Sequence, residues 1–385
     1  MNKKNDTQQC IRCVMDTSTK TLTTFSEQGV CNICSSFDVL AQKTINRPLD
    51  TREKELEDKI KLIKAEGKGK KYDCIIGLSG GVDSTYVAYL VHNYGLRALA
   101  VHFDNGWNSE LAVYNIESII RKTGFDLYTY VVNWEEFKDL QRAYLKASVI
   151  DIEALSDHMI VASLYKLAAK YQVKNIISGT NIATEAILPT DWVYSKRDLD
   201  NIINIHNKFG SIPLKTYPKI GFIQRLYYTE YKKINFVEVL DLVDYNKHKV
   251  KDFIIDYFGW RDYGGKHYES IWTKFYQGYI LPVKFGVDKR KAHLSNLICT
   301  KEITRENALS ELSTPSIPSD EVDELIQYVC TKLDFSRSEF DAIMKEKPIP
   351  HQYYGAEKDS KVNRIILRIV NFILWRTQKR LLYLS

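Results

Sequence analysis

Long apolar runs, internal repeats and low-complexity segments are missing from this sequence of 385 residues. Without an uninterrupted run of about 20 uncharged apolar residues, a membrane span is not expected. Glycine (18) and proline (9) are scarce, which excludes a collagen-like chain, and seven cysteines are too few for a disulfide scaffold of this length. The first residues, Met1 to Asp6, are polar, so we expect no secretory signal and a cytoplasmic protein.

An excess of charge of one sign is also missing from most of the chain. The sequence has 54 basic and 48 acidic residues, and the segment Lys361–Ser385 holds six of the basic residues and no acid. The remainder is therefore balanced, 48 against 48, which argues against a broad nucleic-acid-binding surface. The basic segment has apolar residues at helical spacing. It predicts an amphipathic helix that docks on its own domain, on a protein partner, or on a membrane or nucleic acid.

Four of the cysteines form a tight pattern. Cys10 and Cys13 are separated by two residues, as are Cys31 and Cys34, and seventeen residues lie between the pairs. This is the spacing of a zinc ribbon, because two short knuckles aim four thiolates at one ion. Two disulfides or four unrelated thiols are the alternatives. Four thiolates close the coordination sphere of Zn²⁺, so we expect a structural site that holds the N-terminus or forms a protein interface.

A glycine-rich turn follows an apolar run at residues 72–78 and precedes a helical pattern at residues 85–94. Its sequence is Ser79-Gly80-Gly81-Val82-Asp83-Ser84. A strand, a glycine turn and a helix start form an anion site, because backbone N–H groups and the helix dipole point at the ligand. Asp83 fits a phosphate cradle when a cation accompanies the phosphate, so we assign it to Mg²⁺. The alternative is an ordinary turn capped by Ser84.

The region after this turn alternates strand and helix patterns. Further strands are predicted at residues 97–104, 126–132 and 174–178, with helices at residues 110–122 and 157–171. This alternation predicts an α/β fold with a parallel sheet and helices on both faces. Ligands of such sheets bind at the carboxyl ends of the strands.

The glycine-rich turn is no Walker A motif, since no lysine follows the glycines. It resembles the SGGxDS pyrophosphate loop (PP-loop) of the N-type ATP pyrophosphatases. This resemblance implies that Ser79–Ser84 bind ATP, which is cleaved between its α and β phosphates as a substrate oxygen is adenylylated. It also implies roles for five further residues. The nucleoside would be held by Phe103, Asp104, Gly179 and Thr180, and Mg²⁺ by Glu185 beside Asp83. Asp104 as a turn or N-cap residue, and Glu185 without a metal role, are the alternatives.

Two longer blocks narrow the resemblance. Ser178–Pro189 reads SGTNIATEAILP, and Tyr268–Ile298 reads YESIWTKFYQGYILPVKFGVDKRKAHLSNLI. Together with the cysteine pairs and the PP-loop they resemble the bacterial N-acetyl sugar amidotransferases of O-antigen and related surface-glycan pathways, roughly from Cys10 to Leu312. The family implies that the acetamido group of a nucleotide-activated sugar becomes an acetamidino group through an adenylylated imidate and ammonia.

The resemblance places four residues in catalysis, namely Ser79, Asp83, Lys289 and Arg290. The two basic residues would neutralise the leaving phosphates, and a solvated basic turn is the alternative. The sequence shows no glutaminase, because residue 2 is Asn2 and no G-x-C-x-G elbow exists. Ammonia would then come from a separate glutaminase. The alternative function is a PP-loop tRNA-modifying enzyme of the thiolation type, with an essential cysteine among Cys74, Cys299 and Cys330.

The predicted organisation has four parts. A zinc-ribbon module spans residues 1–48, a helical linker residues 49–71, and the PP-loop domain residues 72–240. Residues 241–385 form a mainly helical region that completes the substrate site. Within it, residues 257–268 are rich in aromatic side chains and glycine, which indicates either an acceptor-binding loop or core packing. Further along the chain, Ser336 and Glu339 predict a capping box that opens a helix.

Overall fold

A computed structural model describes residues 7–18, 23–265, 268–366 and 368. Of the basic C-terminal segment, residues 361–366 are helical, and most of the predicted amphipathic helix lies outside the described residues. None of the helices in the described ranges has the length and apolar character needed to cross a membrane.

A five-stranded parallel sheet forms the centre of the fold, with strand order β3-β2-β1-β4-β5. The strands are β1 Cys74–Gly77, β2 Ala98–Asp104, β3 Asp126–Val131, β4 Asn175–Ser178 and β5 Asn235–Glu238. The chain order reverses between β1 and β4, which lie side by side in the register Ile76–Ile177. Ligands of open parallel sheets bind at such a switch point.

Fifteen α-helices surround and extend the sheet in the described part of the chain. They are α1 Asn32–Lys43, α2 Leu49–Glu66, α3 Val82–Asn93, α4 Glu110–Thr123, α5 Trp134–Ala147, α6 Ala154–Lys170, α7 Ile182–Glu185, α8 Leu199–Phe209, α9 Phe222–Leu226, α10 Lys247–Phe258, α11 Ile271–Phe275, α12 Arg290–Cys299, α13 Arg305–Leu312, α14 Ser319–Lys332 and α15 Arg337–Lys345. Two segments, Tyr227–Tyr231 and Tyr276–Phe285, are π-helical. The predicted capping box of Ser336 and Glu339 opens α15.

The central strands β1, β2 and β4 are buried on both faces, as their continuous apolar sequences require, whereas the edge strands β3 and β5 are largely exposed. Cys74 and Ile76 of β1 point to a core shared with α2, α3, α4 and α10. Ile75, between them, points to the opposite core, which is formed with α6. The predicted α/β class, with a parallel sheet and helices on both faces, is therefore confirmed. The four domain boundaries remain predictions.

Candidate active site

The glycine-rich turn lies at the switch point of the sheet. It leaves β1 at Leu78, whose N–H bonds the carbonyl of Val101 in β2, and enters α3 at Val82. Gly81 is the N-cap of α3 and has no side chain that can bond the N–H groups of the first turn. The start of this twelve-residue helix therefore presents backbone donors and the positive end of its dipole to an anion.

The backbone conformation and the close packing at position 80 of the turn permit only glycine. Its φ is +82°, and a Cβ atom there would lie 2.7 Å from the carbonyl oxygen of Ala112 in α4. The Gly80 carbonyl accepts a hydrogen bond from Nε1 of Trp260 at 2.8 Å, and Nδ2 of Asn115 lies 3.5 Å away. The left-handed turn is thus fixed from behind by two buried side chains, one of them from the C-terminal region.

The hydroxyl groups of the turn form a small network. Oγ of Ser79 accepts a hydrogen bond from the N–H of Gly81 at 3.2 Å and lies 3.1 Å from Oγ of Ser84. Oγ of Ser84 and Oγ1 of Thr85 both donate to the Gly81 carbonyl. Ser79 is exposed and Ser84 half-buried. Both hydroxyls are therefore held where a phosphate at the helix start would meet them.

Asp83 is held by two partners that are distant in sequence. Its Oδ1 accepts hydrogen bonds from the hydroxyl of Tyr245 and from Nδ2 of Asn181, the latter at 3.4 Å. Burial, together with the charge of Asp83, raises the pKa of Tyr245, so this hydroxyl stays protonated and remains a donor. Charges on Glu302 and Glu185 also act on the Tyr245 hydroxyl.

These carboxylates fit a hard divalent cation that arrives with phosphates. Mg²⁺ takes one or two carboxylates and fills its remaining positions with phosphate oxygens and water. Among the described residues, the four N-terminal cysteines are the only His, Cys, Asp or Glu group dense enough to hold a metal alone. The metal roles of Asp83 and Glu185 remain predictions.

The turn after β4 reaches the PP-loop directly. A Cβ atom on Gly179 would lie 3.3 Å from the Asp83 carbonyl carbon and from the Ser84 nitrogen, so the two backbones approach closely. Thr180 is exposed, and its Oγ1 lies 2.9 Å from Oγ of Ser178. Asn181 caps α7 by accepting from the N–H of Thr184 at 2.9 Å.

The end of β2 forms a tight turn. Oδ1 of Asp104 accepts a hydrogen bond from the N–H of Gly106 at 2.9 Å. This is a turn contact, the alternative to nucleoside binding given above for Asp104. Phe103 is half-buried, with its ring 6.1 Å from that of Tyr130. His102 is buried, and burial lowers its pKa. The neutral ring bonds the Leu78 carbonyl at 3.1 Å, so β2 also fixes the residue before the PP-loop.

The sequence predicts that residues 241–385 complete the substrate site but does not identify the individual side chains that reach the PP-loop. A Cβ atom on Gly81 would lie 3.3 Å from the hydroxyl of Tyr263 and 3.5 Å from Oε1 of Glu269. The backbone of Glu269 is fixed in turn, because its carbonyl accepts from the N–H of Ser109 at 2.8 Å. Burial and the charges of Glu269 and Asp83 raise the pKa of Tyr263. The density of aromatic residues at 257–268 was the only signal for this set, and Trp260 packs in the core.

The two predicted basic residues lie in other contacts. The guanidinium of Arg290 bonds the carboxylate of Asp288 and the carbonyls of Glu311 and Thr314. Nζ of Lys289 lies 3.6 Å from Oε2 of Glu153. These contacts are made with residues outside the range 79–84. Their predicted catalytic roles remain untested.

The four N-terminal cysteines meet in one buried cluster. Their sulfur atoms all lie within 4.8 Å of one another, and the side chains are 0% exposed. The sulfurs of Cys13 and Cys31 are 3.6 Å apart, close to the ~3.8 Å of tetrahedral thiolates with Zn–S bonds of ~2.3 Å. Backbone N–H groups of Cys13 and Cys31 point at Cys10 Sγ, which suits a negatively charged sulfur. The donor set therefore fits Zn²⁺.

A fifth thiol touches this cluster. Sγ of Cys299, at the end of α12, lies 3.8 Å from Sγ of Cys34. The module is held on the same side by Arg305, whose guanidinium bonds the carbonyls of Cys10 and Cys13. No sequence pattern pairs Cys299 with this cluster, so the contact is a finding of the structure. The other two cysteines are buried, and burial raises the pKa of both Cys74 and Cys330.

Comparisons with known proteins each match only a part of the chain. The model of the family described as "LPS biosynthesis protein WbpG-like, C-terminal domain" matches residues 269–367. The tRNA(Ile)-lysidine synthase of Chlamydia pneumoniae is 37% identical over 76 residues, 19% of this chain and 23% of that protein. The match thus spans less than a quarter of that relative.

Solved structures give a weak global likeness. The NH3-dependent NAD synthetase of Campylobacter jejuni is 14% identical, with a TM-score of 0.28, over 43% of this chain and 80% of that one. The NMN synthetase of Francisella tularensis is 15% identical, with a TM-score of 0.29, over 55% and 87%.

The family match begins at Glu269, the residue whose carboxylate faces Gly81, and it includes the whole of α12. The matched region thus contributes Glu269 to the PP-loop site and contacts the cysteine module through α12. Residues 269–367 are thus similar to the C-terminal domain of the WbpG-like LPS biosynthesis proteins, and this match supports the family resemblance of the sequence.

Proposed function

We propose that this protein is an ATP-dependent amidotransferase of surface-glycan biosynthesis. It converts the acetamido group of a nucleotide-activated N-acetyl sugar into an acetamidino group, with ammonia from a separate glutaminase. The observation that carries the proposal is the PP-loop at the start of α3, placed at the switch point of the sheet and completed by a WbpG-like C-terminal domain.

The chemistry addresses an unreactive group. An amide carbon is a poor electrophile, and its oxygen is a poor leaving group. The amide oxygen attacks the α-phosphorus of ATP, the bond to the β-phosphate breaks, and diphosphate leaves. Ammonia then attacks the imidate carbon, AMP departs with the former amide oxygen, and the amidine remains after a proton is lost.

Some residues of the site bind the nucleotide, and others hold the metal that neutralises phosphate charge. Ser79, Ser84 and the N–H groups at the start of α3 bind the departing diphosphate, and Phe103, Asp104, Gly179 and Thr180 frame the nucleoside. Asp83 and Glu185 hold Mg²⁺, which neutralises phosphate charge when it is bound. We add Glu269 as a third acid of this site, because its carboxylate faces the same cradle beside the hydroxyl of Tyr263.

The basic residues after Val287 are assigned separately. The contacts of Arg290 with Asp288, Glu311 and Thr314 support a structural role, because they join the two ends of the segment 288–314. Lys289 is equally exposed, at 23% of its side chain, but its contact with Glu153 is longer, at 3.6 Å. It is therefore the better candidate to approach the diphosphate of ATP or of the sugar nucleotide. The four thiolates bind Zn²⁺ and leave no coordination position open for catalysis.

A direct assay tests this function. The protein is incubated with ATP, Mg²⁺, ammonium and an N-acetylated nucleotide sugar, and the products are separated by mass spectrometry. We expect AMP, diphosphate and a sugar nucleotide in which NH replaces one oxygen. Asp83→Asn is the inactive control. Release of ADP, or an unmodified sugar despite AMP formation, would contradict the proposal.

A tRNA-modifying enzyme is the second candidate, and the local similarity to tRNA(Ile)-lysidine synthase favours it. It predicts tight, salt-sensitive binding of tRNA. In the thiolation form it also needs a reactive cysteine outside the zinc cluster. Cys74 and Cys330 are buried with raised pKa values, so neither is poised for that chemistry, and Cys299 contacts Cys34 of the zinc cluster. Filter binding of tRNA at low and high salt separates the two candidates.

A further inference from the structure

Helix α12 lies between the cysteine cluster and the nucleotide site. One face of the helix contacts the cluster. Oγ of Ser295 accepts a hydrogen bond from the N–H of Val14 at 3.4 Å, and Cys299, one turn later, lies 3.8 Å from Cys34. At the start of the helix, Lys291 forms an ion pair of 2.7 Å with Asp16. Three turns of α12 are therefore anchored on the zinc module.

An adjacent side of α12 holds the segment that follows β4. Asn296 is 0% exposed, and its amide group makes three hydrogen bonds to this segment. Its Nδ2 donates to the carbonyls of Ile182 and Ala183, and its Oδ1 accepts from the N–H of Ile187 at 2.8 Å. All three partners belong to α7 or lie directly beyond it, and α7 is only four residues long.

Helix α7 carries residues of the nucleotide site at its start. It is capped by Asn181, whose Nδ2 bonds both the Gly179 carbonyl at 3.1 Å and Oδ1 of Asp83 at 3.4 Å. A short helix has few hydrogen bonds of its own, so external partners decide where it lies. Asn296 supplies three of these. The position of Gly179 against the PP-loop thus depends on a side chain of α12.

We propose that Asn296 is a positioning residue of the nucleotide site, and that it couples this site to the metal held by the four cysteines. The inference rests on the proposed binding of ATP at the PP-loop. Zn²⁺ fixes the knuckles that anchor Ser295 and Cys299, and α12 transmits this order to α7 through Asn296. Coupling between two sites is reciprocal, so nucleotide that binds the ordered form of α7 also retains the metal.

The experiment measures zinc release and needs no turnover. Zinc-loaded protein is mixed with a chromogenic chelator, with and without Mg²⁺ and α,β-methylene-ATP, an analogue that cannot be cleaved at the inner anhydride. We expect the analogue to slow zinc release by about 5-fold or more, a typical coupling. In the reciprocal measurement, zinc-depleted protein binds the analogue more weakly by the same factor.

Two variants locate the coupling. Asn296→Ala should bind zinc, lose the effect of the analogue on zinc release, and bind the analogue at least 5-fold more weakly. Asn201→Ala is the matched control. Asn201 is equally buried, and its amide donates to the carbonyls of His351 and Gly355 at 2.7 and 2.8 Å, far from α12 in the chain. This control should lower the melting temperature and keep the full effect of the analogue.

The outcomes are separable. If wild-type protein binds the analogue but releases zinc at an unchanged rate, the coupling is refuted while the proposed function stands. If it does not bind the analogue at all, the proposed function fails and the inference falls with it. An equal loss of coupling in Asn201→Ala would reduce Asn296 to a stabilising residue. The measurement of zinc release from wild-type protein tests the coupling even if Asn296→Ala does not fold.

Discussion

Replacing Trp260 by phenylalanine tests whether the C-terminal region holds the PP-loop in its binding conformation. The indole is 3% exposed, and its Nε1 donates to the Gly80 carbonyl at 2.8 Å. In Trp260→Phe the carbonyl keeps, among the described residues, the long contact of Asn115 at 3.5 Å. A buried acceptor left without a good partner costs about 1–3 kcal/mol. The smaller ring forfeits about 1 kcal/mol of apolar burial.

The expected total is therefore about 2–4 kcal/mol in the free energy of unfolding, measured by denaturant titration. Gly80 is the residue with φ +82°, so a loosened carbonyl also frees the turn that orients the helix-start donors. We expect the affinity for Mg²⁺ and α,β-methylene-ATP to fall about tenfold, which corresponds to about 1.4 kcal/mol. Isothermal titration calorimetry gives this affinity directly.

Trp272→Phe provides the matched control. Trp272 is 2% exposed, and in the described part of the chain its Nε1 has no hydrogen-bond partner. The same atoms are removed, but no hydrogen bond is lost. Trp272→Phe should therefore be the less destabilised variant and should retain nucleotide affinity. Equal destabilisation and equal affinity loss in the two variants would refute the idea that Trp260 acts through the Gly80 carbonyl.

Three further predictions concern the carboxylate of Glu269, the thiol of Cys299 and the pH dependence of stability through His351. Glu269→Gln should raise the Mg²⁺ concentration needed for half-maximal binding of the analogue, and Glu269→Asp should partly restore it; unchanged Mg²⁺ dependence would remove Glu269 from the metal site. Cys299→Ala should speed zinc release into a chelator severalfold, as the loss of a partner of a ligand does, while Cys330→Ala should not. Burial lowers the pKa of His351 to about 4, so its neutral form stabilises the fold above pH 6.5 and this contribution, about 3 kcal/mol, is lost as the pH falls toward 4. His351→Gln should flatten the dependence of unfolding free energy on pH in that window, and an unchanged slope would show that another group titrates there.

The sequence was sufficient for features that a short segment determines. The PP-loop, its strand and its helix are contiguous, so glycine placement and apolar spacing predicted them together. The same holds for the cysteine pairs, whose spacing within each knuckle limits the geometry, and for the parallel sheet, which follows from alternating strands and helices.

Contacts between distant residues could not be predicted. Tyr245 is 162 residues from Asp83, Trp260 is 180 residues from Gly80, and Cys299 is 265 residues from Cys34. A single tyrosine, tryptophan or cysteine in a helix or loop is interpreted as a core residue, because the adjacent sequence does not indicate which distant residue it contacts. The packing of the whole chain chooses these pairs, and they are the ones that complete the site.

The bond between Trp260 and the PP-loop has a practical consequence for work with fragments. A truncated protein that ends after β5 would retain the entire glycine motif and the whole sheet, yet its Gly80 carbonyl would lose the indole donor and Asp83 would lose the tyrosine hydroxyl. Transplanting the motif-bearing half onto another acceptor domain therefore requires grafting these two aromatic residues as well.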